Sequence, residues 1–250
     1  VYFVLDLFGL PIDPLLLIIA FSEVFFVFNL NRFTDKEEDK LNIPQRIDFV
    51  SKYGLGLIFF SSFLCILLLI ILLSTNINVF LFVFGVILAG SGYSILRFKK
   101  IFLFKNIFVA VIWGTLPLIV GLYYNCFTLS LVALSVFFSL QFFINTVIFD
   151  IKDIDGDKIH KIKTMPNTLG IKKTKLICYL INIFLVIFLG VGIIQGVLPY
   201  ESIILIFFIA YVFLYLYLEN KLTKNLYYGV LVDGEFIFLL ILIFLKGLLW

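Results

Sequence analysis

Residues 127–157 read FTLSLVALSVFFSLQFFINTVIFDIKDIDGD, an apolar run through Phe149 that meets four aspartates within eight positions. A helix needs roughly 20 apolar residues to cross a bilayer. The run at 127–149 therefore predicts a membrane-spanning helix, and the aspartates lie where it leaves the lipid.

On either side of this segment the pattern repeats. Apolar runs bounded by turn signals predict spans near 14–30, 53–74, 78–96, 106–123, 175–197, 201–219 and 230–249, with a short segment at about 1–10. Hydrophobic residues make up 63% of the chain and charged residues 14%, with a mean hydropathy of +1.17, which excludes a water-soluble domain. The expectation is an all-α, polytopic membrane bundle of eight to nine transmembrane helices forming one domain over 1–250. No basic region and small-residue cleavage site precede the first polar break, so no signal peptide is expected. The chain begins at Val1, and its first helix is expected to be completed by residues upstream.

Charge gives an independent topology. Basic residues fall in the loops at 31–52 (Arg32, Lys36, Lys40, Arg46, Lys52), 97–105 (Arg97, Lys99, Lys100, Lys105) and 150–175, and at Lys221 and Lys224. Of all Lys and Arg residues only Lys246 lies outside these alternate loops; the turns around Pro11–Pro14, Thr75–Asn78, Tyr124–Phe127 and Pro199–Ser202 hold none. Lys and Arg accumulate on the cytoplasmic side of membranes, so every second loop, including both acidic ones, is expected there. Spread among short loops, these charges form no patch for nucleic acid. Cys65, Cys126 and Cys178 lack metal-ligand or redox spacing and read as apolar fillers.

Two loops are acidic as well as basic. In the first, Asn31, Asp35 and Asp39 recur every four residues and share a face if the helix continues through them. In the second, Asp150, Asp153 and Asp157 are related by three and four residues, while Asp155 points elsewhere. Clustered carboxylates repel unless cations bridge them, and hard oxygen donors favour Mg²⁺, which binds few carboxylates and keeps substrate phosphates in its shell. Arg46, Arg97, Lys99 and Lys163 are placed to neutralise such a phosphate. A single mixed-charge loop reads more simply as solvated surface ion pairs; two in helical register on one side favour a shared site.

These residues resemble the two aspartate-rich motifs of the UbiA superfamily of intramembrane prenyltransferases, approximately N-D-x-x-D-x-x-x-D and D-x-x-D-x-x-G-D. Asn31, Asp35 and Asp39 match the first, and Asp150, Asp153, Gly156 and Asp157 the second. Asn42, Pro44 and Arg46 resemble the N-x-P-x-R continuation; Thr164, Pro166, Leu169 and Gly170 resemble the T-x-P-x-x-L-G ending. Tyr93, Ser94, Arg97, Lys99, Lys100, Asn106, Trp113 and Gly114 are similar to the segment after the family's fourth helix. Arg32 departs from the pattern where a second acid is usual, and Lys161 where glycine is usual.

The resemblance implies helices around a central cavity and Mg²⁺-dependent transfer of a prenyl group from an allylic diphosphate to a lipid or aromatic acceptor. It implies metal ligation by Asn31, Asp35, Asp39, Asp150, Asp153 and Asp157, of which Asp35, Asp39, Asp150 and Asp157 are catalytic candidates. Diphosphate contact falls to Arg46, Tyr93, Ser94, Arg97, Lys99 and Lys163. A transporter, or a degenerate member that binds prenyl lipid without chemistry, is the alternative; transporters place their sites at the midplane, whereas these acids cluster at a rim. Glu23, inside a span on the face of Asn31, reads equally as functional or structural. Gln141, Asn145, Asp233 and Glu235 line a cavity or bond between helices. His160, the single histidine, reads as a surface-loop residue, and the 32 Phe and 12 Tyr mostly as lipid-facing or core packing.

Overall fold

Asp13 and Pro14 start the first long helix. Asp13 accepts a hydrogen bond from the Leu15 N–H at 2.8 Å, and Pro14 has no N–H to leave unpaired in the first turn. This helix, α2 (Pro14–Thr34), follows the short α1 (Tyr2–Leu7). The computed structural model describes residues 1–36, 44–96, 101–159 and 161–249, with the side chains of 44–46, 96, 248 and 249 outside that description.

Further along come α3 (Pro44–Thr75), α4 (Ile77–Leu96), α5 (Phe104–Gly114), α6 (Leu116–Tyr123) and α7 (Leu129–Lys152). Two short helices, α8 (Ile154–Ile159) and α9 (Met165–Leu169), precede α10 (Ile171–Ile194). A 3-10 turn at Tyr200–Ile204 leads into α11 (Leu205–Leu218), and α12 (Lys224–Leu226) runs through a π turn at Tyr227–Val232 towards α13 (Glu235–Leu249). Among the described residues there is no strand. Seven helices are long and apolar enough to cross a membrane, counting α5 with α6 as one, and the pair Lys224–Val232 and Glu235–Gly247, bent by 41°, makes an eighth. The protein is thus a multi-pass, all-helical membrane bundle. In the six-residue α1, Phe3, Val4, Leu5 and Leu7 are buried against the bundle.

Several boundaries differ from the sequence expectation, each for a local reason. The second span ends at Thr34, with Asp35 as its C-cap, instead of running on to Asp39. The helix expected from 53 begins at Pro44, where proline's missing N–H is tolerated in the first turn and its fixed φ suits helix entry. The run at 106–123 is divided at Thr115, since Pro117 removes a backbone donor two residues on. The last span is bent between Val232 and Glu235. Tyr211 Oη donates to the Leu231 carbonyl at 2.6 Å, and Asn145 Nδ2 to that of Val232 at 3.4 Å, so carbonyls at the bend stay satisfied inside the membrane.

Lipid tails give little hydrophobic force between helices, so close packing and polar contacts hold the bundle. The most extensive seam joins α5 to α7. A Cβ on Gly114 would lie 1.8 Å from Ser139 Oγ and 2.7 Å from Ser139 Cα, so only glycine admits this approach, and Ser135 Oγ donates to the Gly114 carbonyl at 2.6 Å. Elsewhere Asn182 Nδ2 donates to the Ile209 carbonyl at 3.0 Å, joining α10 to α11. The three cysteines are free thiols, Cys65 and Cys178 buried. Lys246, the cation outside the basic loops, reaches Asp6 Oδ2 at 2.9 Å and ties α13 to α1.

Candidate active site

Asp150 lies in the last turn of α7 and is fully buried, yet neither of its oxygens is idle. Oδ1 meets Lys105 Nζ at 2.7 Å, and Oδ2 accepts from Asn106 Nδ2 at 2.8 Å. Both partners stand in the first turn of α5, which the Gly114 seam presses against α7. A carboxylate this deep would carry a desolvation cost of several kcal/mol without such partners. Lys105 itself keeps 30% of its side chain exposed. The arrangement fixes an ammonium at the bundle's rim with a buried counter-ion beneath it.

Asp157 enters from the next turn. Asp153 caps α7, the Asp157 N–H donates to the Asp153 carbonyl at 2.9 Å, and α8 carries Asp157 inward until it is 3% exposed. Lys105 is within electrostatic reach of Asp157 as well as Asp150. Asp155 on the opposite side of that turn is exposed. After α8 the chain reverses through Lys161 at φ +56°, and the Ile162 N–H closes on the Asp157 carbonyl at 2.8 Å. Lysine therefore occupies a left-handed position that favours glycine.

Asn31 belongs to the same end of the bundle. It opens onto a chamber of about 250 Å³ whose walls come from α2, α4 and α5, including Glu23, Val27, Tyr93, Phe108 and Trp113. Tyr93 stacks on Phe108 at 4.6 Å and on Phe104 at 6.3 Å, which brings this wall to the start of α5, beside Lys105. Asn31 and the residue preceding Lys105 are thus joined by one aromatic wall, Tyr93, Phe108 and Phe104. Glu23 is 1% exposed, and neither carboxylate oxygen has a hydrogen-bond partner among the described residues.

The remaining candidates are distributed as follows. Asp35 caps α2, its N–H bonded to the Asn31 carbonyl at 2.9 Å. Arg32, where an acid is usual, lays its guanidinium 3.8 Å over the Phe28 ring. Ser94 is buried beside Tyr93, and Lys163 is exposed between α8 and α9. Asp39, Arg97, Lys99 and His160, and the side chain of Arg46, lie outside the described residues. Of the further polar residues, Gln141 and Glu235 line a second, smaller cavity, Asn145 serves the bend, and Asp233 is exposed. Sequence reasoning did not single out Lys105, because a lysine at the end of a span reads as a topology anchor; its place opposite Asp150 emerges only when α5 packs on α7.

The donor set suits a hard cation: carboxylate and amide oxygens, without imidazole or thiolate. Among the described residues no three acidic, His or Cys side chains are grouped tightly enough to hold an ion alone.

Comparison with solved structures bears on the architecture. The chain superposes on a UbiA homolog from Aeropyrum pernix K1 with a TM-score of 0.71 at 14% identity, covering 95% of this chain and 94% of that one. A structure of a digeranylgeranylglyceryl phosphate synthase matches with a TM-score of 0.63 at 19% identity, covering 98% and 88%. At these identities the likeness shows the fold. No curated protein sequence matches. A family model described as the UbiA prenyltransferase family matches residues 8–244, and the chain accordingly belongs to that family.

Proposed function

We propose that the protein transfers a prenyl group from an allylic prenyl diphosphate to a lipid or aromatic acceptor, with Mg²⁺ at the mouth between the acidic helix ends on the cytoplasmic side. The observation that carries this reading is the Lys105–Asp150–Asn106 cluster in the first turn of α5, the helix whose next turn, at Phe108, walls an apolar chamber together with Asn31. Asn31, Asp35, Asp39, Asp153 and Asp157 would hold the ion. Asp150 would join them only by releasing Lys105, so its first role is to fix that ammonium. When bound, Mg²⁺ supplies Lewis acidity towards the phosphoryl oxygens.

The protein's own groups do the rest. Lys105 offers a prepositioned positive charge to the diphosphate as the allylic C–O bond breaks and the electron pair leaves with oxygen. Arg46, Tyr93, Ser94, Arg97, Lys99 and Lys163 are the further candidates for that anion. The chamber keeps water from the positive allylic carbon until the acceptor's oxygen or ring carbon attacks it. Tyr93 and Phe108 line that space, where aromatic π density favours a cation.

Purified protein incubated with labelled geranyl, farnesyl or geranylgeranyl diphosphate, Mg²⁺ and a panel of acceptors should give a prenylated product identifiable by mass. Asp35→Asn and Asp157→Asn should each lower the rate by about 10²-fold or more, the scale expected when a group stabilising a transferring phosphate is lost. Undiminished activity in both variants overturns the proposal.

A further inference from the structure

Among the described residues, one side chain lines two neighbouring cavities. The chamber below Asn31 is the larger, at about 250 Å³; a second of about 130 Å³ lies among Phe138, Gln141, Phe142, Phe208 and Glu235. Trp113 is the residue common to the two walls. Its ring is not loose: it stacks on Phe142 at 5.1 Å and on Phe236 at 6.0 Å, both in the wall of the second cavity. A side chain held this way between two voids is a partition.

Three helices agree on how deep the partition stands. Asn31 and Glu23 are eight residues apart on α2, Tyr93 and Val86 seven apart on α4, and Asn106 and Trp113 seven apart on α5. At a rise of 1.5 Å per residue, each gives a depth of about 10–12 Å. With carbon–carbon bonds near 1.5 Å, an extended isoprene repeat advances roughly 5 Å, so the chamber takes about two repeats. The carboxyl of Glu23 sits at the same depth without a partner among the described residues, and apolar tail pressed past it would seal it from any hydrogen bond.

We propose that Trp113 is the floor of the prenyl chamber and sets donor length, admitting a geranyl chain and resisting a geranylgeranyl chain. This rests on the prenyl-transfer reading above and adds the length of the substrate to it. Replacing Trp113 with a small residue would join the two cavities and extend the path towards Phe138 and Phe208.

The test compares wild type, Trp113→Ala and Val86→Phe, the last of which narrows the chamber near the same depth. Geranyl and geranylgeranyl diphosphate compete for one acceptor, and the unreactive S-prenyl thiodiphosphates of both lengths are titrated without acceptor. Trp113→Ala should shift both the product ratio and the binding ratio at least about tenfold towards the longer chain, the discrimination a few methylenes provide. Val86→Phe should shift both towards the shorter. Ratios unchanged in both variants, at wild-type melting temperature, overturn the proposal; should Trp113→Ala fail to fold, Val86→Phe decides it. If no donor is turned over but the thiodiphosphate ratios move as stated, the transfer reading falls and the floor stands. If neither analogue binds, both fall.

Discussion

Each end of the bundle carries a lysine–aspartate pair between helices, and the two are built in opposite ways. At the acidic end Lys105 and Asp150 meet at 2.7 Å, with Asp150 fully buried and held again by Asn106. At the other end Lys246 and Asp6 meet at 2.9 Å, with the Asp6 side chain 34% exposed. Lys246 is half-buried, but Asp6 keeps its water, so this pair joins two helices at less cost and with less gain. A buried one is costly to assemble, and hydrophobic residues often do the same packing better. The buried pair nevertheless leaves part of the Lys105 side chain exposed at the rim, where an ammonium can meet an anion as the proposed transfer requires.

The contrast predicts unequal responses to the same substitution. Lys105→Met leaves Asp150 buried without its cation and should lower stability by about 3–5 kcal/mol. Lys246→Met should lower it by less than about 1 kcal/mol. Unfolding in mixed detergent, followed by circular dichroism, measures both. Equal losses would mean that the two pairs do the same job.

The next largest effect tests how Lys105 and Asn106 are brought to Asp150. Gly114→Ala forces a methyl against Ser139 and should cost about 1–3 kcal/mol as α5 is pushed off α7. Because that seam positions the first turn of α5, prenyl transfer should fall with it. A methyl on Gly85, in α4, would meet nothing within 4 Å, so Gly85→Ala should be neutral or stabilising by about 0.5–1 kcal/mol. Paired melting curves and rates separate the seam from a general intolerance of alanine.

How much of this was legible in the sequence depends on whether the deciding force is local. The spans were, because lipid imposes its demand on each run separately, and the acids at span ends could be picked out as candidates, because charge beside an apolar run stands out. The break at Thr115 and the bend after Val232 were not, since the residues around them are as apolar as their neighbours and the freed carbonyls are satisfied by Tyr211 and Asn145 from other helices. Lys105 was hidden for the same reason, one lysine among many at span ends; Trp113 stood out only as part of a family-like segment, and its place between two cavities follows from what packs against it. Lys161 is the opposite case. Its place where glycine is usual was visible, and the left-handed φ of +56° supplies the reason. Lys161→Gly should relieve about 1 kcal/mol of backbone strain, less whatever the freer unfolded chain takes back. A melting temperature below wild type would show that its side chain contributes more than its backbone costs.

The smallest effect belongs to the end remote from the chamber and has a definite sign. Asp13 accepts from the Tyr123 hydroxyl and from the Leu15 N–H, and these bonds hold its carboxyl below the usual carboxylate range. A lowered folded-state value means that the unfolded chain takes up the proton first as acid is added. The contribution is therefore complete above the unfolded value near about 3.9 and disappears as pH falls through the lowered one. Asp13→Asn keeps an N-cap but removes the titration. Wild type should lose melting temperature relative to this variant as pH is lowered from about 5 to about 2, with no relative change between about pH 6 and 8. Parallel curves throughout would place the acid sensitivity elsewhere.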